Sequence, residues 1–239
     1  GQFAPQQILK CIEAAVNAAD FDAGMAVERQ CFSECLSHPQ REALIHIFFA
    51  ERAANKIPGL SKEVPLIDVQ KASIIGAGTM GGGIAMCFAN AGIAVLIHDN
   101  DPDGLQRGLK VIAGNYARTV AKGRLSQQEM DSRMALIQPA ASMDELGDAD
   151  VVIEAVYENL DLKKEIFSKL DTIMKPGALL ATNTSGLDVD AIAASTSRPE
   201  FVCGMHFFSP ANVMKLLEVV KGEKSSPAAL GTAMALGKR

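Results

Sequence analysis

Apolar positions in residues 1–55 recur at helical spacing only. Ile8, Leu9, Ile12, Ala15 and Val16 predict one amphipathic helix. Met25, Val27 and Phe32 predict a second, capped by Asp20 and closed before His38-Pro39, because the residue ahead of a proline is pushed away from helical backbone. Leu44, Ile47, Phe48 and Ala53 predict a third. Three such helices without a strand cannot hide all these apolar faces by themselves. They read as the end of a domain whose beginning is absent, or as a packing extension of the next domain. Residues 56–70 hold Pro58-Gly59 and Val64-Pro65 among charges, a linker composition.

From about Lys71 the pattern changes, and short apolar runs alternate with longer helical ones. The runs ending at Ile75 and Ile97 flank a helix-like Ala/Met/Phe segment. Asp101-Pro102 opens a long helix to about Lys122, with Gly123 at its end. Ser126 and Glu129 form a capping box for the next. Ile137–Ala140 is a strand candidate. Val151–Val156 is a run continuous enough to be a strand buried on both faces. A helix over Asp161–Met174 stops at Pro176-Gly177, Leu179–Thr182 forms a strand, and Asp188 caps a short helix. Val202–Phe208 and Leu216–Val220 are two further strands, and Pro227–Leu236 a last helix.

The loop after the first strand reads Gly76-Ala77-Gly78-Thr79-Met80-Gly81, and Asp99 follows just past the second strand. This is the layout of a dinucleotide-binding β-α-β unit. Gly76 permits the tight turn, Gly78 lets backbone approach a pyrophosphate, and Gly81 allows close packing of helix on strand. The helix N-terminus offers unpaired N–H groups to that anion. An acid at position 99 accepts ribose hydroxyls and repels a 2′-phosphate, so NAD is expected rather than NADP. The fold class is therefore α/β: a Rossmann-type, doubly wound and mostly parallel sheet preceded by a helical segment. Ligands in such sheets lie beyond the carboxyl ends of the strands. That directs attention to Asp99, Tyr157-Glu158-Asn159, Asn183-Thr184-Ser185 and His206.

Composition narrows the classes. The chain has 239 residues, 48% of them hydrophobic, enough for a substantial core. A net charge of -5 gives no reason to expect a nucleic-acid partner. No apolar run reaches membrane-spanning length. The five cysteines, at 11, 31, 35, 87 and 203, have no partners at zinc spacing and read as reduced thiols; no metal is expected.

His206 leads Phe207-Phe208-Ser209-Pro210, and twelve residues later Glu218 lies inside the apolar run Leu216–Val220. A carboxylate amid such neighbours is costly to bury unless paired, and the simplest partner is a histidine on an adjacent element. A histidine held by a carboxylate is a good general base. Beside a nicotinamide, that pair suits removal of a proton from an alcohol while hydride leaves its carbon.

The glycine loop, extended through Gly82-Gly83-Ile84-Ala85, together with Asn183-Thr184-Ser185, His206–Pro210 and Leu217–Val220, resembles the 3-hydroxyacyl-CoA dehydrogenase family. Over nearly the whole chain it is similar to the multifunctional β-oxidation members, in which an enoyl-CoA hydratase domain comes first; Phe49–Lys56 resembles the tail of that hydratase half. The resemblance implies a helical tail over 1–55, a linker over 56–70, an NAD-binding domain over 71–222 and the start of a C-terminal helical domain over 223–239. It implies oxidation of (3S)-3-hydroxyacyl-CoA to 3-ketoacyl-CoA with NAD, His206 as base and Glu218 as its orienting partner. Ser185 and Asn183 would meet the substrate. Gly76, Gly78, Met80, Gly81, Asp99, Val156, Tyr157, Glu158, Lys163 and Ser185 would line NAD, as would Ser209, where many members have Asn. It further implies an acyl-CoA substrate, a cytoplasmic (bacterial) or peroxisomal setting, and association with a thiolase or other β-oxidation enzymes. As a fragment lacking the hydratase front and the helical domain, the chain is expected to turn over weakly or not at all. The competing readings are a dehydrogenase of a small 3-hydroxy acid and a non-catalytic NAD-binding or structural protein on this fold.

Overall fold

The computed structural model describes residues 1–54, 56–61 and 63–239. Asn55, the expected end of the helical tail, and Lys62 of the expected linker lie outside the described residues. The chain divides into two compact units, Gly1–Gly59 and Leu60–Arg239.

The first unit holds the three expected helices, α1 (Phe3–Asn17), α2 (Phe21–Ser37) and α3 (Gln40–Ala54). Asp20 caps α2 by accepting the Ala23 N–H at 2.8 Å, which satisfies one of the donors every helix start leaves free. Gly24 brings α2 close to Ala14 of α1 and to Ala18 just past its end. His38 stacks on Phe3, while Gln40 accepts the Phe3 N–H. Ile8, Leu9, Ile12 and Val16 of α1 and Leu44, Ile47 and Phe48 of α3 stay exposed.

The second unit is a seven-stranded sheet. Its strands are β1 (Lys71–Ile75), β2 (Ala94–His98), β3 (Ile137–Pro139), β4 (Val151–Glu154), β5 (Leu179–Thr182), β6 (Val202–Phe207) and β7 (Leu217–Val220), in spatial order β3-β2-β1-β4-β5-β6-β7. The first six pair in parallel; β7 runs antiparallel to β6. The strand order reverses between β1 and β4, and that switch point is where a doubly wound sheet opens a crevice. Helices α4 (Thr79–Asn90), α5 (Pro102–Ala121), α6 (Gln127–Ala135), α7 (Leu160–Ile173), α8 (Val189–Ala193) and α9 (Pro227–Lys238) complete the unit. The Ser126–Glu129 capping box forms as expected, and Asn159 caps α7. Burial follows the apolar runs: every residue of β4 and β5 is buried, and Phe167 and Leu170 of α7 are fully enclosed beside Val152, Leu180 and Val202. Enclosing a side chain of that size contributes about 1.5–3 kcal/mol.

The stretch expected as linker joins this unit at its C-terminal end. Thr232 of α9 accepts the Ile67 N–H at 2.9 Å, and Asp150 accepts the N–H groups of Gln70 and Lys71. Helix α9, expected to open a separate domain, buries Ala229, Leu230 and Ala233 within the same unit.

Two surface carboxylates carry a pH signature. Burial pushes the Asp150 carboxyl up, but Lys175 and the Gln70 and Lys71 N–H groups outweigh it and hold the pKa below the ordinary value. At Asp171 burial is likewise outweighed, by the Ser197 N–H and Arg198. A carboxyl whose pKa is depressed by folding stabilises the fold above its unfolded pKa and loses that contribution as pH falls through the folded one. Stability to urea is expected to hold from pH 7 to 5 at these two groups and to decline as the pH drops below about 4. Asp150→Asn should flatten part of that decline; a variant with an acid profile identical to wild type would refute the assignment.

Candidate functional site

Three loops meet above the switch point. Gly76, next after β1, has φ +98°, a conformation open to glycine, and a Cβ there would lie 2.7 Å from the Ala155 carbonyl oxygen beyond β4. The two loops approach this closely because no side chain intervenes. Gly81, on the first turn of α4, faces the Gly76 carbonyl, so helix packs directly on turn. Gly78 caps α4 without a side-chain hydrogen bond, and a Cβ there would meet no atom within 4 Å. The N-terminal donors of α4 thus face open space, the arrangement that receives an anion.

Asp99 lies beside this loop. Its Oδ2 accepts the Ala77 N–H at 2.8 Å and its Oδ1 accepts the Asp101 N–H at 2.9 Å. The acid expected to meet a ribose therefore also anchors the glycine turn. Each carboxylate oxygen has a second lone pair, so capacity for hydroxyl donors remains. A cavity of about 380 Å³ runs from Gly76, Gly78, Asp99 and Asn100 to Val156 and Tyr157, and a second, of about 410 Å³, shares Gly78 and Asp99 with it and extends to Arg107 and Asn115. An elongated ligand with an anionic centre fits this division. Met80 is half-buried, and Tyr157 is 81% exposed at the cavity rim.

His206 and Glu218 are brought together. They are direct partners in the antiparallel ladder of β6 and β7, and His206 Nδ1 lies 2.9 Å from Glu218 Oε2. Cross-strand neighbours on one face stand close enough for their side chains to pair without rearrangement. A carboxylate only accepts, so Nδ1 carries the proton and Nε2 keeps its lone pair in the neutral ring. The His206 ring also leans on Phe208, centroid to centroid 4.7 Å. The expectation that Glu218 is buried is corrected. Its side chain is 54% exposed, because β7 is the outer strand of the sheet and alternate residues face solvent.

The deeply buried acid is Glu154, the last residue of β4, which the sequence reading passed over. Its Oε1 accepts the Lys163 ammonium at 2.6 Å and the Val156 N–H at 2.8 Å; its Oε2 accepts the Thr182 hydroxyl at 2.7 Å. Lys163 is 1% exposed, not a solvated charge. Its ammonium reaches Glu158 Oε2 at 3.3 Å. Glu158 Oε1 in turn accepts the Thr184 hydroxyl and the Ser185 N–H and hydroxyl. Burial raises the Glu158 pKa, but these donors and Lys163 more than offset it, and the carboxyl stays ionised below its ordinary range. Ser185 is exposed at the end of β5, as is Ser209 after β6. Asn183, expected at the substrate, accepts the Phe207 N–H at 2.8 Å and so ties the β5 end to the residue after His206.

A histidine paired with a carboxylate on β6 and β7, in the same sheet as a glycine loop and an acid suited to a dinucleotide, is the equipment of a coenzyme-dependent dehydrogenase. The comparisons make this specific. The family described as 3-hydroxyacyl-CoA dehydrogenase, NAD binding domain, matches residues 71–239. The chain belongs to that family and carries its NAD-binding domain. It is similar to the peroxisomal bifunctional enzyme of Cavia porcellus, 40% identical over all of this chain and 33% of that protein. It is also similar to the fatty acid oxidation complex subunit alpha of Pseudomonas aeruginosa, 35% identical over 99% of this chain and 33% of the other. The chain thus spans about a third of the length of the curated relatives it matches. Among solved structures, (S)-3-hydroxybutyryl-CoA dehydrogenase from Ralstonia eutropha matches with TM-score 0.70 and 37% identity, over 72% of this chain and 60% of that one. The dehydrogenase part of multifunctional enzyme 1 from C. elegans matches with TM-score 0.68 and 32% identity, over 77% of this chain and 44% of the other.

Proposed function

We propose that the protein carrying this chain oxidises (3S)-3-hydroxyacyl-CoA to 3-ketoacyl-CoA. The observation that carries the reading is the 2.9 Å pair of His206 and Glu218, set in a fold whose glycine crevice suits NAD. The lone pair on His206 Nε2 takes the hydroxyl proton of the substrate as its C–O bond becomes a carbonyl. Bound NAD supplies the acceptor for the hydride that leaves the same carbon. Glu218 holds the ring tautomer and stabilises the imidazolium; its exposure leaves that stabilisation partly screened by water. In the reverse direction the imidazolium returns the proton. Ser185 donates to the substrate's 3-oxygen, and Asn183 serves the site by holding the strand end that bears His206. Gly76, Gly78 and Gly81 shape the pyrophosphate turn, Asp99 takes the ribose hydroxyls, and Met80, Val156, Tyr157, Glu158 and Ser209 border the coenzyme.

Residues 1–55 are read as the tail of a hydratase-like domain, consistent with the multifunctional relatives. An acyl-CoA substrate, a peroxisomal or bacterial cytoplasmic setting and association with a thiolase belong to the same reading. Among the described residues no helix is long and apolar enough to cross a membrane.

The coenzyme site is tested by Gly78→Ala. The new methyl meets no protein atom within 4 Å, so the melting temperature should stay within about 2 °C of wild type. NAD affinity, measured by titration calorimetry, should fall about tenfold or more, a loss of about 1.4 kcal/mol. Wild-type affinity in this variant would move the pyrophosphate elsewhere. In the full-length protein, turnover of a 3-hydroxyacyl-CoA against the matching free acid tests the substrate class.

A further inference from the structure

We propose that Cys11 and Cys31 form a redox site, in which a peroxide joins their thiols into a disulfide between α1 and α2. The pair lies in the first unit and is independent of the coenzyme reading.

Helix register brings the two thiols together. Only residues 18–20 separate α1 from α2, so the two helices run antiparallel. Gly24 packs on Ala14 and Ala18, small residues that let the backbones approach. Seven residues are about two turns of helix and return to the same face. Seven back from Ala14 and Ala18 are Gln7 and Cys11; seven on from Gly24 is Cys31. Cys31 therefore sits between Gln7 and Cys11. Burial agrees: among the described residues Gln7 is the one buried residue of α1, and Cys31 the one buried residue of α2. The Cys11 thiol interacts directly with that of Cys31, and through charge with Glu28 and Cys35. A disulfide needs Cα atoms within about 7 Å, a spacing that close Gly–Ala helix packing favours. Cys35 follows Cys31 by one turn and so lies a turn farther from Cys11.

A cavity of about 420 Å³ runs between the helices from Ala18 and Gly24 to Cys11 and Glu28. A small oxidant can thus reach Cys11, the half-buried member of the pair. The Cys11 thiolate attacks one peroxide oxygen, the O–O bond breaks, and the other oxygen takes a proton and leaves as water. Cys11 is then a sulfenic acid. Its hydroxyl is a donor, and Gln7 Oε1, one turn back on α1, is a buried acceptor with no hydrogen-bond partner among the described residues. The Cys31 thiolate next attacks the Cys11 sulfur, the S–O bond breaks, and a second water leaves. The two thiols have lost two electrons and two protons, and the peroxide has become two waters. Burial and the Cys31 thiol hold the Cys11 pKa above the ordinary thiol range, with Glu28 and Cys35 adding to the shift. The attacking thiolate is scarce at neutral pH, so the pair stays reduced until peroxide is abundant or the pH rises. Cys87 and Cys203, pushed by burial to about 11 and about 12, lie in the second unit and serve as internal controls.

The test treats the whole chain with excess hydrogen peroxide at about pH 8.5, alkylates it, and maps its peptides without reductant. A linked pair carrying Cys11 and Cys31 is expected, reversed by dithiothreitol, with Cys87 and Cys203 recovered as alkylated thiols. The link should form about tenfold faster for each pH unit gained below the Cys11 pKa. The same treatment in denaturing urea should scramble the pairing. Cys35→Ser should keep the link and Cys11→Ser should lose it. A folded chain whose five thiols all stay free would overturn the proposal. So would sulfinic acid at Cys11, a link from Cys31 to Cys35 or links between molecules in place of the pair, or pairing as scrambled as in urea. The wild-type peptide map decides even where a variant fails to fold.

Discussion

His206→Gln is expected to lower the rate of 3-hydroxyacyl-CoA oxidation in the full-length protein by about a thousandfold while leaving NAD affinity within about threefold. General-base catalysis contributes about a hundred- to ten-thousandfold, and the upper part of that range applies where the base is oriented by a partner. Gln has nearly the volume of His, and its amide can donate to Glu218, so the β6–β7 rung keeps its contact. It has no basic lone pair to receive the hydroxyl proton. Glu218 is half open to water, so losing an ionisable partner leaves no buried charge behind. The fold should therefore be intact, with a melting temperature within a few degrees of wild type. Stopped-flow reduction of NAD reads the chemical step directly. A rate within tenfold of wild type would take His206 out of the reaction, and equal loss of NAD binding would mean the substitution had damaged the crevice.

Gly81→Ala is expected to abolish NAD binding and to destabilise the second unit by about 3 kcal/mol. The added methyl would fall inside the van der Waals shell of the Gly76 carbonyl oxygen, 2.9 Å from its carbon and 3.3 Å from Ile74 Cγ2. Two of those atoms are backbone, and Gly76 is itself held by its N–H bond to the His98 carbonyl. Relief requires α4 to move off the turn, which carries its N-terminal donors away from the anion site. Gly81→Ala and Gly78→Ala form a pair: the first should lose stability and affinity together, the second affinity alone. Chemical denaturation alongside NAD titration checks both. A Gly81→Ala variant as stable as wild type would show that helix and turn can separate at no cost.

Much of this was legible in the residues. The elements follow from two periods and their punctuation: Asp20, Ser126 and Asp188 cap where expected, and the apolar runs become strands. Strand direction was less accessible. That β7 reverses depends on pairing with β6, which no local pattern in Leu217–Val220 encodes. This explains the misplaced burial at Glu218: an edge strand can be apolar in sequence and still expose alternate side chains. The rule that a carboxylate in an apolar strand is costly to bury unless paired applies to Glu154, inside Val151–Val156, whose partner is a lysine and not a histidine. The signal was present as an acid in a run read as buried on both faces, with Lys163 nine residues on in the following helix. Asn183 was found for its position at a strand end, but its bond to the Phe207 backbone is a tertiary contact that spacing alone does not reveal.

The antiparallel rung that joins His206 to Glu218 frees the chain between them. Two strands fix the histidine–carboxylate pair, so the segment that leaves one and enters the other carries little of its geometry. Val213, Met214 and Leu216 stand 64%, 46% and 55% exposed in that connection. Substitution or insertion there can change the exposed surface of this edge without disturbing the His206–Glu218 rung. Under the proposed function, this edge is thus open to drift in evolution, or to redesign at the bench, beside a pair whose geometry stays constant.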